Sequence, residues 1–275
     1  MAGSLKPVET PKSAGPGKRT GWDLARSVVL VVALVGFLAP MVSAAVLGFT
    51  VPGNCGPTLD NLTVVFSSDR AFEALGTTFM LAALATAVTL VLVLPTLLVL
   101  KLHGSARLTS WAETLSLLPL VVPSVALVSG AGLFFRAVLP GFLVSPLSLV
   151  PFYVVLCVPL AYRALEAQMR TSNLHVLWAA SSSLGSGNLG TFVRVVMPTM
   201  RTSLLSASLM CIALILSEFA VASLLLHFTF PVFTVQAGGS SPRGAAALSF
   251  ITMLLTWLLL SLISGLSQRQ KRTSS

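Results

Sequence analysis

The 275 residues are 55% hydrophobic and only 9% charged, against about 25% charged in a soluble globular chain, so most of this chain has lipid or other membrane protein as its solvent. The net charge of +9 does not indicate nucleic acid, because the lysines and arginines cluster between long apolar runs rather than on one aromatic-studded face of a soluble domain. Cys55, Cys157 and Cys211 show no paired spacing and read as isolated small side chains, with no disulfide framework and no zinc site.

Residues 1–26 are rich in Pro, Gly, Ser and Lys and read as a disordered cytoplasmic tail. The first apolar run, 27–49, is long enough to cross a bilayer, which takes about 20 helical residues. Ser43-Ala44-Ala45 could mimic a signal-peptidase site, but signal h-regions span only about 7–15 residues, and a retained helix is favoured. A polar loop, 50–73, precedes the core at 74–266. Five further apolar runs follow at 74–100, 113–135, 147–162, 203–226 and 244–266, and 267–275 forms a tail. Pro151 and Pro159 interrupt the 147–162 run, which membrane helices tolerate. The runs are continuous, whereas barrel strands alternate over about 10 residues. The predicted fold class is an all-α integral membrane protein with about six transmembrane helices.

Six crossings place both termini on one side, and the positive-inside rule selects it. Fourteen of the seventeen cations then share the side of the termini, and only Arg70, Arg136 and Arg243 lie opposite. The termini and the 163–202 loop are therefore expected to be cytoplasmic, and the 50–73 loop extracytoplasmic.

That 163–202 loop has internal order. Ser172 and Asn173 suit a helix N-cap. Leu174, Leu177, Trp178, Ser181 and Leu184 recur at helical spacing as one mostly apolar stripe. Gly185 suits a C-cap with φ > 0, and Ser186-Gly187-Asn188 can turn the chain. A second stripe of Leu189, Phe192, Val193 and Val196 leads to Pro198, which ends the segment or starts the next helix. The polar face, Ala179, Ser182 and Ser183, is uncharged. A lipid-lying helix carries a basic polar face, so docking of the stripe onto a partner is favoured.

At these residues the sequence resembles the EAA loop of binding-protein-dependent ABC permeases. That motif runs Glu-Ala-Ala, three residues, Gly, nine residues, a branched apolar residue, any residue, Leu, Pro. Gly185, Val195, Met197 and Pro198 keep its spacing, while Ala179 stands in the place of Glu and Ser181 in that of Ala. Leu118-Pro119-Leu120-Val121-Val122-Pro123 and Leu216-Ser217-Glu218-Phe219 extend the likeness over about 71–266. The stretch around Pro231 and Ala245-Ala246-Ala247 looks like polyamine-type permeases. The resemblance implies a type I ABC importer permease subunit in a bacterial plasma membrane. The implied partners are cytoplasmic ATP-binding subunits, a second permease subunit, identical or related, and an extracytoplasmic solute-binding protein. It also implies an ATPase-coupling loop carried by Leu177, Trp178, Ala179, Ala180, Gly185, Phe192 and Pro198. The implied solute is a polyamine or similar organic cation, with iron, thiamine or an oxyanion as alternatives.

Glu218 is the one acidic residue well inside an apolar run. An intramembrane carboxylate is costly to desolvate and is a functional candidate by default. It either faces the pathway, makes a structural hydrogen bond to a neighbouring helix, or is protonated in place. The match of Gly185-Ser186-Gly187-Asn188-Leu189-Gly190 to G-x-G-x-x-G lacks the strand and the downstream carboxylate of a dinucleotide site, and no Walker A sequence occurs. His103, His175 and His227 are scattered, and no catalytic constellation is legible. A transport subunit without cofactor is expected, with hydrolysis in another chain. The rival class is a secondary transporter, which would show broken helices in matching halves.

Overall fold

The computed structural model describes residues 21–51, 53, 56–67 and 69–273. Most of the N-terminal tail, Cys55 and the last two residues lie outside them. Thirteen helices follow in order among the described residues. They are α1 (Gly21–Phe49), α2 (Asp60–Phe66), α3 (Asp69–His103), α4 (Ala106–Val121), α5 (Ser124–Val138), α6 (Leu149–Thr171), α7 (Leu174–Ser183), α8 (Asn188–Thr191), α9 (Met197–Thr199), α10 (Arg201–Ser217), α11 (Ala220–Leu224), α12 (Phe230–Ser240) and α13 (Pro242–Thr273). No strand occurs among the described residues. Helices satisfy their backbone groups internally, as a segment spanning lipid requires.

Four segments are long and apolar enough to cross a bilayer singly: Leu24–Phe49, Asp69–His103, Pro146–Thr171 and Pro242–Leu262. Two more crossings arise only if bent helix pairs are each counted as one span. The chain is thus an all-α, multi-pass membrane protein. Residues up to 44 form one compact unit and those from 45 onward another. The first carries an exposed apolar surface, with Val29, Leu34 and Phe37 each more than half accessible, as suits a helix surrounded by lipid.

The 113–135 run, expected as one crossing, is instead α4 and α5 meeting at 96°. Pro123 is the cause. It lacks an N–H and pushes the preceding residue out of the helical region, and Val122 sits extended at φ −85°, ψ 119°. The 203–226 run also breaks, ending its helix at Ser217. Conversely, α6 continues past Tyr162 to Thr171, because Leu165 and Met169 still face the core. The loop read as 163–202 therefore begins nine residues later, after Thr171. In α3, Asp69 occupies the first turn and Lys101 and His103 the last, matching the helix dipole.

The centre of the larger unit is α3, α6 and α10. Ala82, Ala85, Ala161 and Ala207 are essentially inaccessible there, and such small side chains let membrane helices approach closely. Cys157 and Cys211 meet where α6 crosses α10, each thiol directed at the other's carbonyl at 3.9 and 4.0 Å. Both are free and buried. They pack as small apolar groups, in line with the sequence pattern, but as a pair. A second cluster joins Ala71, Ala74, Phe230, Phe233, Ala237 and Leu248. It seats α12, a short helix inside a stretch that the apolar runs left as a connection. The Phe230 N–H donates to the buried Thr78 hydroxyl at 2.8 Å, fixing the start of α12 on α3.

Candidate functional site

The segment between α6 and α10 has the helix, glycine turn and second helical stretch that the sequence pattern suggests, with each apolar stripe part buried and part exposed. The α7 helix ends in a paired closure: the Ser186 N–H donates to the Ser181 carbonyl at 3.1 Å and the Gly185 N–H to that of Ser182 at 3.0 Å. This is a Schellman motif, and Gly185 carries it at φ +81°. Open space surrounds the position where a Gly185 side chain would begin, so the demand for glycine comes from the backbone angle alone.

The stripes expected to dock on a partner divide between two sides, with Leu174, Trp178, Ser181, Phe192 and Val196 turned inward. Leu174 is 2% and Ser181 8% accessible, and Trp178 and Phe192 pack half-buried against the main core. The reason is that α7 buries the inner part of its apolar stripe, and α8 and the turn Phe192–Val196 lie against it. The Ser181 and Thr191 hydroxyls meet at 2.9 Å in a buried hydrogen bond, pinning α7 to α8 across the elbow. Ser181 stands in the place of the motif's Ala, and the bond gives its hydroxyl a partner. His175 Nε2 donates to the Lys101 carbonyl at 2.8 Å, tying α7 to the end of α3.

The outer members of the same two stripes remain exposed, joined by Val176. Leu184 is 88% and Leu189 76% accessible, with Val176, Leu177 and Val193 also exposed. Ala179, Ala180 and Pro198 are on this exposed side as well. Of the sequence-selected residues, then, Leu177, Ala179, Ala180, Gly185 and Pro198 present outward, and Trp178 and Phe192 anchor the segment from beneath. Downstream, residues Phe192–Val196 form a π-helical turn, in which the Met197 N–H reaches back to the Phe192 carbonyl. Pro198 has no N–H to offer the helical ladder, and the chain bends by 74° at Met200 before entering α10. Wide turns of this kind often occur at functional positions.

Glu218 is not embedded in a continuous helix. It sits at the break between α10 and α11 with an extended backbone, φ −82°, ψ 106°. Its carboxylate accepts the Val221 N–H at 3.1 Å. Of the readings left open by the sequence, a structural hydrogen bond is present, made to the first turn of α11 immediately after it. A cavity of about 530 Å³ opens beside it, between the end of α10, α12 and α13. Ser217, Phe219, Thr252 and Trp257 are among the residues that line it.

A second elbow, which the sequence pattern does not reveal, follows α11. The Leu226 N–H donates to Ser223 at 3.2 Å and the His227 N–H to Ala222 at 2.9 Å, with Leu226 at φ 60°. His227 then meets the Ser148 hydroxyl at 3.1 Å. Burial lowers its imidazole pKa from the ordinary value, opposed by a backbone contact at Leu143. No cluster of His, Cys, Asp or Glu among the described residues could hold a metal ion.

The whole course of the helices matches one chain of a crystal structure described as a bacterial ABC transporter involved in the import of the acidic polysaccharide alginate. The match has a TM-score of 0.55 and covers 92% of this chain and 99% of that one, at 15% identity. The fold is that of an ABC transporter permease. No family model matches the sequence, and no curated protein does. The two central helices of this permease fold, α6 and α10, are the ones the structured segment joins.

Proposed function

We propose that the chain is the permease subunit of an ATP-driven importer in a bacterial plasma membrane, with 172–200 as its coupling segment on the cytoplasmic side. In this reading, two ATP-binding subunits engage the exposed rim of Leu177, Ala179, Ala180, Leu184 and Leu189. A second permease subunit completes the pathway and an extracytoplasmic binding protein delivers the solute. The cargo is a small organic cation of polyamine type.

The observation that carries the reading is the Gly185 closure, held on the ends of α6 and α10. An apolar rim mounted on a capped, side-chain-anchored elbow can transmit a push, because Trp178, Phe192 and the Ser181–Thr191 bond prevent it from yielding locally. Helix-in-groove docking uses this kind of apolar surface. The fifteen-per-cent-identical neighbour shares the fold and fits the same reading.

The test is co-purification. The tagged chain is expected to bring an ATPase subunit out of its native membrane, and the doubly substituted L184D/L189D chain to lose it while remaining monodisperse. A chain that purifies alone and moves solute with no nucleotide hydrolysis overturns the proposal.

A further inference from the structure

Arg170 bridges two carboxylates on two helices. Its Nη2 donates to Glu113 Oε1 on α4 at 2.8 Å and to Glu166 Oε1 on α6 at 2.7 Å, and its Nε donates to the same Glu166 oxygen at 3.0 Å. From residue 74 onward the sequence contains three acidic residues, Glu113, Glu166 and Glu218, and two of them converge on this one guanidinium. They do so on the side that the cation bias assigns to the cytoplasm, Glu166 near the C-terminal end of α6 and Glu113 midway along α4. Cavities of about 470 and 370 Å³ flank the bridge. Glu113, Glu166, Arg170 and Tyr162 line both of them.

Tyr162 supplies a second, independent observation. It is 6% accessible, its hydroxyl has no hydrogen-bond partner, and it lines both cavities together with Glu166 and Glu113. A buried hydroxyl left without a partner calls for a ligand, a water or an alternative arrangement. The Arg170 side chain is 62% accessible, against 39% for Glu113 and 15% for Glu166, and an exposed arginine can exchange its partners for water at small cost. Lys101 lines only the larger cavity and Arg163 only the smaller, so the remaining cations stand to either side of the carboxylate pair.

We infer that Glu113, Glu166 and Tyr162 form an exit-side binding site for a guanidinium- or primary-ammonium-bearing solute, which Arg170 fills as a tethered stand-in when no solute is present. The chemistry is stated by its present occupant: two carboxylates already hold a guanidinium through N–H donors. A free organic cation entering from either cavity replaces Arg170, and the tyrosine hydroxyl gains its missing partner. The importer reading contributes only the direction of travel. Binding itself rests on this chain's own side chains, so a failed binding test leaves that reading intact.

The test is calorimetric titration of the full-length chain in nanodiscs with agmatine, which carries one guanidinium and one ammonium, and with tetramethylammonium, which has no N–H. Removing the tethered competitor in Arg170→Ala should tighten agmatine binding by about tenfold or more, a factor equivalent to one decade of Kd. Arg170→Lys keeps a tethered cation and should stay near wild type. Adding Glu113→Gln or Glu166→Gln to Arg170→Ala should abolish the gain, and adding Tyr162→Phe should weaken it several-fold. Should Arg170→Ala not remain monodisperse, Arg170→Gln carries the same expected gain. Agmatine binding no tighter without the arginine than with it, or tetramethylammonium binding equally well, overturns the inference.

Discussion

Two elbows, one before α10 and one after α11, close their preceding helices by the same pair of backbone hydrogen bonds and differ in the residue that bears the positive φ. Gly185 stands at +81° and Leu226 at 60°. Glycine adopts this region freely, whereas a left-handed conformation costs another L-residue roughly 1–2 kcal/mol. The Gly185 elbow therefore closes without strain and presents an open apolar rim. The Leu226 elbow is strained, and distant side chains hold its surroundings in place: Ser148 on His227, and Thr78 on the Phe230 N–H. One segment is shaped by its own sequence, the other by the body it packs on. That contrast explains why the first, on the side we assign to the motor, is legible in the amino-acid pattern and the second is not.

The same contrast orders the expected effects of substitution. Gly185→Val puts a β-branched residue at a backbone angle such residues rarely adopt. Solute uptake by the reconstituted transporter should fall at least about tenfold while ATP hydrolysis persists, the change equivalent to about 1.4 kcal/mol of lost coupling. Because nothing crowds the position, the loss should come from the elbow and not from a clash. At the other elbow, Thr78→Val leaves the buried Phe230 N–H unpartnered and should lower the stability of the detergent-solubilised chain by about 1–3 kcal/mol, read as a drop in Tm.

Glu218→Gln separates charge from capping. Glutamine retains a carbonyl oxygen for the Val221 N–H, so the fold should be undisturbed while uptake falls several-fold if the carboxylate meets a cationic solute. Unchanged uptake restricts Glu218 to its local bond. Ser181→Ala restores the residue usual in the resembled motif but leaves the buried Thr191 hydroxyl alone, at a cost of about 1 kcal/mol. Loosened by that change, α7 should show faster amide exchange. Leu226→Gly works in the opposite direction: relief of the left-handed strain should stabilise by up to about 1 kcal/mol, with transport unchanged because Leu226 is 89% accessible. A fall in Tm in that variant would contradict the strain assigned to the second elbow.

The sequence carries the membrane class, the approximate crossings, the α7 helix and its glycine turn, because apolar run length and a glycine at a helix end are local signals. What depends on distant partners is not legible there. α12 seated on Thr78 and Cys157 against Cys211 each need a contact that no spacing encodes. The 96° bend has a local cause in Pro123 and is missed because apolar run length alone does not register it. Helical periodicity groups Leu174, Leu177, Trp178, Ser181 and Leu184 on one stripe, but it does not say which of them meet the chain's own α8 and Phe192–Val196 turn and which stay exposed.

As a permease subunit, this chain should hold its Gly185 segment on the cytoplasmic side, covered by a separate motor subunit. Leu184, among the most accessible apolar residues of that segment, allows a direct measurement. In a chain with Cys55 replaced by Ser and Leu184 by Cys, a membrane-impermeant maleimide should label inside-out vesicles but not intact cells. Bound ATP-binding subunits should protect the thiol, while the buried Cys157 and Cys211 stay silent throughout. Labelling from outside intact cells, or labelling that the ATP-binding subunits leave unchanged, would contradict that arrangement.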